Sequence, residues 1–277
     1  MEEPGYYGAA SAFISAGAEL VPFRVSKTGW DLSPPAQKPR LIFVTPSCQY
    51  PLGHAMSMEQ RLNLIQMADK WGAWIIEDDY DSAYRFQGQP IPALQGVAAR
   101  DKVVFVGTFA KILFPAMRLG YMVVPQVLQR AINAALSATG QFAPLMTQAA
   151  LADFINDGYL IRHLRQMRRL YAVRRSHFIE QFNRNIGQWM DLEQTESGIQ
   201  LVGYFKERTN DKKMAEVLAA AGLNVFPLSL QYRFKPVQHG LLMGFAATDQ
   251  ELTTTSLRKL AKLVAAEIKK QTQAEKE

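Results

Sequence analysis

Three apolar runs mark the first half of the chain: LIFV at 41–44, AWII at 73–76 and VVFV at 103–106. Each is too short for a helix and rich in β-branched or aromatic residues, so each predicts a buried strand. Helical patterns fall around them. YGAASAFISAG reads as a short helix closed by Gly17, and AELVPFRV as a strand. Ser57, with Gln60 three places on, has the form of a capping box and opens a helix that runs to Trp71. Buried strands separated by helix or long crossover predict a parallel sheet covered on both faces. PQVLQRAINAAL and the stretch from APLMT to EQFN predict further helices, the last long enough to carry the chain out of a first domain. From about residue 190 the pattern becomes strand GIQLVGYF, helix DKKMAEVLAAAG, strands LNVFPLS and GLLMGFA, and a closing amphipathic helix with a frayed, charged tail. The expected fold is α/β, with a large domain over residues 1–165 and a small α/β domain over 166–277.

Composition narrows the class. The chain has 277 residues, is 48% hydrophobic and carries a net charge of +6, enough apolar material for a sizeable core. It has no uninterrupted apolar run long enough for a membrane span and no signal-peptide order at its start, which predicts a cytoplasmic protein. Cys48 stands alone, so no internal disulfide is expected, and His54, His163, His177 and His239 follow no metal-ligand spacing. Much of the positive charge sits in IRHLRQMRRLYAVRR, with Arg162, Arg165, Arg168, Arg169, Arg174 and Arg175. This segment is either the solvated face of a long helix or a surface for nucleic acid or another acidic partner.

The candidate chemistry lies just past the strands, where ligands bind in an open parallel sheet. TPSCQYPLG follows the first run, EDDYDSAYRF the second and GTFAKILFPAMR the third. Glu77, Asp78, Asp79 and Asp81 repel one another unless cations or water separate them, and a cationic ring nitrogen would be one such cation. Lys111, an amine at a strand end in apolar company, is suited to Schiff-base chemistry with an aldehyde. Thr108, the turn amides and Arg118 supply donors for a dianionic phosphate. The set points to pyridoxal phosphate.

TPSCQYPLG, WIIEDDYDSAYRF, IPALQG and VGTFAKILFPAMRLGYMVVP together resemble the aminotransferase-like domain of MocR-type transcriptional regulators, bacterial GntR-superfamily proteins that join a winged helix-turn-helix to a fold type I pyridoxal phosphate domain. The resemblance implies that Lys111 bonds the cofactor aldehyde, that Asp78 partners its ring nitrogen and that Tyr80 hydrogen-bonds its 3-hydroxyl. It also implies that Thr108 and Arg118 contact the phosphate. Tyr6 either lies on the substrate side of the cofactor or packs at the start of a helix. The resemblance further implies a homodimer, a small amine or amino acid effector, and DNA contact through an N-terminal domain outside this chain. By it, the chain begins inside the large domain without part of the phosphate cup, which weakens cofactor binding by several kcal/mol at roughly 1–3 kcal/mol per lost contact. Two positions depart from the aminotransferase pattern. Leu242 stands where those enzymes place the arginine that grips the substrate carboxylate, and Ala110 precedes the lysine where serine is common. An effector-sensing domain is therefore expected, with a free-standing aminotransferase and a chain that folds without cofactor as the alternatives.

Overall fold

The computed structural model describes residues 1–35, 37–98 and 101–274. In chain order its elements are β1 (Glu2–Glu3), α1 (Tyr7–Ser15), β2 (Phe23–Ser26), β3 (Gly29–Trp30), β4 (Leu41–Val44), α2 (Met58–Trp71), β5 (Trp74–Asp79), α3 (Leu94–Val97), β6 (Val103–Thr108) and β7 (Gly120–Val123). There follow α4 (Gln126–Thr139), α5 (Leu145–Asn156), α6 (Tyr159–Asn185), β8 (Met190–Leu192), β9 (Gln200–Phe205), α7 (Asp211–Ala220), β10 (Phe226–Pro227), β11 (Gly240–Gly244) and α8 (Gln250–Ala274). The chain divides into two compact units. One comprises Met1–Glu2, Val21–Gln49 and His54–Arg168; the other comprises Glu3–Leu20, Tyr50–Gly53 and Arg169–Glu277. Residues 3–20 thus group with the C-terminal part, whereas the sequence reading assigns 1–165 to one domain.

The first unit is built on a four-stranded sheet of order β4-β5-β6-β7. β4, β5 and β6 run parallel, with Val44 opposite Glu77 and Asp78 opposite Val106; β7 returns antiparallel, with Gly107 opposite Tyr121. Ile42, Val44, Ile75 and Val103 are buried, as uninterrupted β-branched strands require in a covered sheet. α2 packs Leu64 and Ala68 inward. Its start is fixed by Ser57, whose side chain accepts from the Gln60 N–H at 3.2 Å. Its end is fixed by Gly72, which at φ +69° adopts the left-handed conformation that closes a helix. The Gln60 side chain lies against Gly29, where any Cβ would meet it.

The second unit carries the sheet β10-β11-β9-β8, antiparallel throughout. Phe182, Met190, Leu201, Leu241, Phe245 and Val264 are buried in its core, and α7 packs on α8.

The structure differs from the sequence reading in four places. AELVPFRV is a strand only from Phe23, and with β3 it forms a hairpin around the polar turn at Lys27–Thr28. LNVFPLS pairs over two residues, because Pro227 brings no N–H to the ladder and a 3-10 turn begins at Leu228. β7 has no counterpart in the sequence reading. It is also exposed along its whole length, so the cover expected on both sheet faces is missing there. The end of the charged tail, residues 275–277, lies outside the described residues. Among the described residues no helix is long and apolar enough to cross a membrane.

Candidate functional site

Parallel pairing puts the carboxyl ends of β5 and β6 side by side, and most of the candidate side chains follow from that. Asp78 lies at the end of β5 with Tyr80 just past it, Thr108 ends β6, and Lys111 and Arg118 lie in the turn from β6 to β7. Alternation along β5 sends Glu77 and Asp79 to one face and Asp78 to the other.

On the first face Glu77 is fully buried against Arg61 of α2, Nη1 to Oε1 at 3.4 Å. Its oxygens also accept the Leu94 and Gln95 backbone N–H groups at 2.9 and 3.0 Å. Burial pushes the Glu77 carboxyl up and the Arg61 guanidinium down from their ordinary values, and the pairing opposes both shifts. The other guanidinium hydrogens go to the carbonyls of Met56 (3.1 Å), Pro92 (3.0 Å) and Pro46 (2.9 Å). Arg61 therefore ties the polar loop after β4, the start of α3 and the middle of β5 into one knot. Asp79 is capped by Ser82, whose N–H and hydroxyl donate to it at 3.2 and 2.6 Å.

Asp78 differs from its neighbours. It accepts no hydrogen bond among the described residues. Its carboxyl is pushed up to about 6, first by burial and then by the adjacent Asp79. An acid held partly out of water with no donor is unfavourable unless a cationic or N–H partner arrives.

The turn after β6 is held at both ends. Phe109 N–H donates to Leu119 O at 3.0 Å, and Thr108 Oγ1 accepts from Ala110 N–H at 3.2 Å while facing Leu119 O at 3.5 Å. The carbonyl of Ile112, next to Lys111, accepts from Tyr84 Oη at 3.4 Å and from His163 Nε2 at 2.9 Å. A carbonyl only accepts, so Nε2 carries the imidazole proton. Lys111 is exposed, a correction to the apolar company expected from its neighbours. Arg118 is also exposed and stands at φ +50°, the one non-glycine residue in left-handed backbone among those described. Such strain is worth about 1–3 kcal/mol and persists where the surroundings enforce it. Gly107 is needed here because the Tyr121 ring lies across it, 2.5 Å from where a Cβ would sit. Tyr80 Oη donates to Cys48 Sγ at 3.5 Å.

The structure thus gathers Asp78, Tyr80, Thr108, Lys111 and Arg118 at one end of one sheet. Tyr6 belongs to the other unit, where it is exposed and meets Tyr50 edge-on, with ring centroids 5.7 Å apart. Sequence reasoning missed Arg61, Tyr84 and His163. Arg61 carried one signal, as a lone arginine among the buried positions of an amphipathic helix; Tyr84 and His163 carried none, since their shared contact joins residues far apart in sequence.

The sheet is mostly parallel, and its carboxyl end bears an amine, an acid with no hydrogen bond among the described residues and a basic turn; the fold is that of the fold type I pyridoxal phosphate aminotransferases. The chain belongs to the aminotransferase class I and II family, whose model matches residues 1–254. It is 46% identical over 261 residues to a probable rhizopine catabolism regulatory protein, MocR, of Rhizobium meliloti, covering 94% of this chain and 53% of that protein. It is 30% identical over 267 residues to the HTH-type pyridoxine biosynthesis transcriptional regulator PdxR of Corynebacterium glutamicum, covering 96% and 57%. The chain spans about half the length of these curated relatives. Among solved structures, the kynurenine aminotransferase of Pyrococcus horikoshii superposes with a TM-score of 0.88 at 23% identity, over 96% of this chain and 68% of that one.

Proposed function

We propose that this chain is the pyridoxal phosphate-binding, effector-sensing domain of a bacterial MocR-type transcriptional regulator. The observation that carries the reading is its 46% identity to the MocR regulator over 94% of its length. The side chains present fit the cofactor. A half-buried acid with no donor suits a protonated ring nitrogen; the Thr108 hydroxyl and the Arg118 guanidinium suit a phosphate; and a primary amine at Lys111 suits the aldehyde. Bound there, the cofactor supplies an aldehyde able to take up a primary amine. Tyr80 would stand by its 3-hydroxyl. We place this site in the unit built on the sheet β4-β5-β6-β7. Sequence-specific contact with DNA would come through a part of the regulator outside this chain, in the cytoplasm.

Leu242 favours a sensor over an aminotransferase. It is buried in β11, 3% exposed, so that position offers the carboxylate of an amino acid no guanidinium. Incubating the cofactor-loaded chain with a panel of amino acids should change its visible absorbance without sustained release of keto acid. Repeated turnover across the panel would establish the aminotransferase instead.

We also propose a homodimer. Phe142, Leu145 and Met146 are 70–86% exposed, and β7 presents Tyr121, Met122 and Val123 to solvent, more apolar surface than an isolated domain usually shows. Light scattering on the same samples checks this: twice the chain mass is expected, and a monomer at micromolar concentration would end the proposal.

Asp78 gives the cofactor a pH dependence with a definite sign. Its carboxyl must be ionised to hold a ring cation and is half-protonated at about 6. Affinity for pyridoxal phosphate is therefore expected to be level above that pH and to fall below it, approaching about tenfold per unit. Titrations followed by absorbance should show this bend in the parent and lose it in Asp78→Asn. A bend that survives in Asp78→Asn would assign it to another group.

A further inference from the structure

The long helix α6 carries a cationic row that the proposed cofactor site does not use. Arg162, Arg165 and Arg168 recur every three residues and are all exposed. They form a slanting ridge with steps of about 4.5 Å along the axis. No acidic residue occurs between Asp157 and Glu180, so Arg162, Arg165 and Arg168 have no carboxylate four residues away on the helix. The contacts these arginines make are neutral. Arg162 stacks on the Tyr159 ring at 4.4 Å and donates to Asp157 O at 3.4 Å, and Arg168 Nε donates to Ala83 O at 2.6 Å. Among the described residues none of the three has a carboxylate partner.

Like charges at this spacing oppose helix formation, and among the described residues no carboxylate offsets them. A polyanion with regularly spaced charges would. We propose that the Arg162–Arg165–Arg168 row binds the phosphate backbone of duplex DNA without reading its sequence. Charge complementarity and the net charge of +6 favour that occupant. So do relatives described as HTH-type transcriptional regulators, and in this choice of partner the proposal rests on the regulator reading above. Guanidinium groups suit the geometry of phosphate oxygens, and their contacts with the backbone fix position and not sequence. The row would hold DNA against the sensing domain while sequence is read elsewhere.

The test uses the whole chain and a fluorescently labelled 20-bp duplex of arbitrary sequence, with anisotropy measured from ~50 to ~200 mM salt. Three phosphate contacts predict a slope of log affinity against log salt of about −2.7. Arg162→Gln with Arg165→Gln should bring it to about −0.9 and weaken binding at least ~10-fold at ~50 mM salt. Arg168 is kept in this variant because it also holds Ala83. Arg162→Lys with Arg165→Lys keeps the charge and should keep the slope. Lys269→Gln with Lys270→Gln on α8 removes as much charge elsewhere and should leave binding unchanged. Three results would overturn the proposal: an unchanged slope in the Arg→Gln pair, an equal loss in the lysine control, or poly-glutamate binding more tightly than the duplex. Pyridoxal phosphate absorbance, read in every sample, separates this outcome from that of the regulator reading, because the Arg→Gln pair should still take up the cofactor.

Discussion

Lys111→Ala is expected to abolish covalent attachment of pyridoxal phosphate while leaving the fold intact. Lys111 is exposed in the turn from β6 to β7, and among the described residues it makes no hydrogen bond or ion pair whose loss would loosen that turn. The turn itself is held by backbone bonds at Phe109–Leu119 and by Tyr84 and His163 on the Ile112 carbonyl. Removing the amine therefore removes the chemistry and little else. Two measurements check it. The visible band of the bound cofactor should vanish in the variant, and borohydride reduction of the parent, followed by peptide mass mapping, should place the added mass on Lys111. A modified peptide from any other lysine would overturn the assignment. Residual, non-covalent cofactor in the variant is compatible with it, since Asp78, Thr108 and Arg118 remain.

Arg61→Met is expected to cost about 3–5 kcal/mol of stability, the usual range when one partner of a buried ion pair is deleted. Arg61 and Glu77 are both 0% exposed, so the surviving carboxylate cannot regain water. The Pro46, Met56 and Pro92 carbonyls lose their donor at the same time. Glu77 keeps the Leu94 and Gln95 N–H groups, which limits the loss without cancelling it. Urea unfolding of Arg61→Met, Glu77→Gln and the double variant forms a cycle, in which the double should cost clearly less than the sum of the singles. Additive costs, or a single cost below about 1 kcal/mol, would show that the knot does not hold these loops. Arg61 should also influence the site, because it sets the loop after β4 and the strand that bears Asp78.

Much of this was legible in the chain. The buried runs LIFV, AWII and VVFV became β4, β5 and β6, because a strand covered on both faces has to be apolar throughout. Ser57 opened α2 because capping is local chemistry. β7 was missed because its pairing to β6 is set by a return turn and by the fit of Tyr121 over Gly107. The extended reading of LNVFPLS failed at Pro227, where a β-favouring run has no N–H for the ladder.

The candidate site divides along the same line. Residue types and their position after apolar strands pointed to Thr108, Lys111, Arg118 and an acidic cluster, since a strand end is written in consecutive residues, and the family resemblance singled out Asp78 within that cluster. Only the folded chain showed that Glu77 and Asp79 already have partners while Asp78 has none, and that Lys111 is exposed. Only there do Arg61, Tyr84 and His163 reach carbonyls 5 to 51 residues away. Local pattern fixes what an element is; which polar group is left without a partner depends on contacts between distant segments, and those exist only once the sheet has formed.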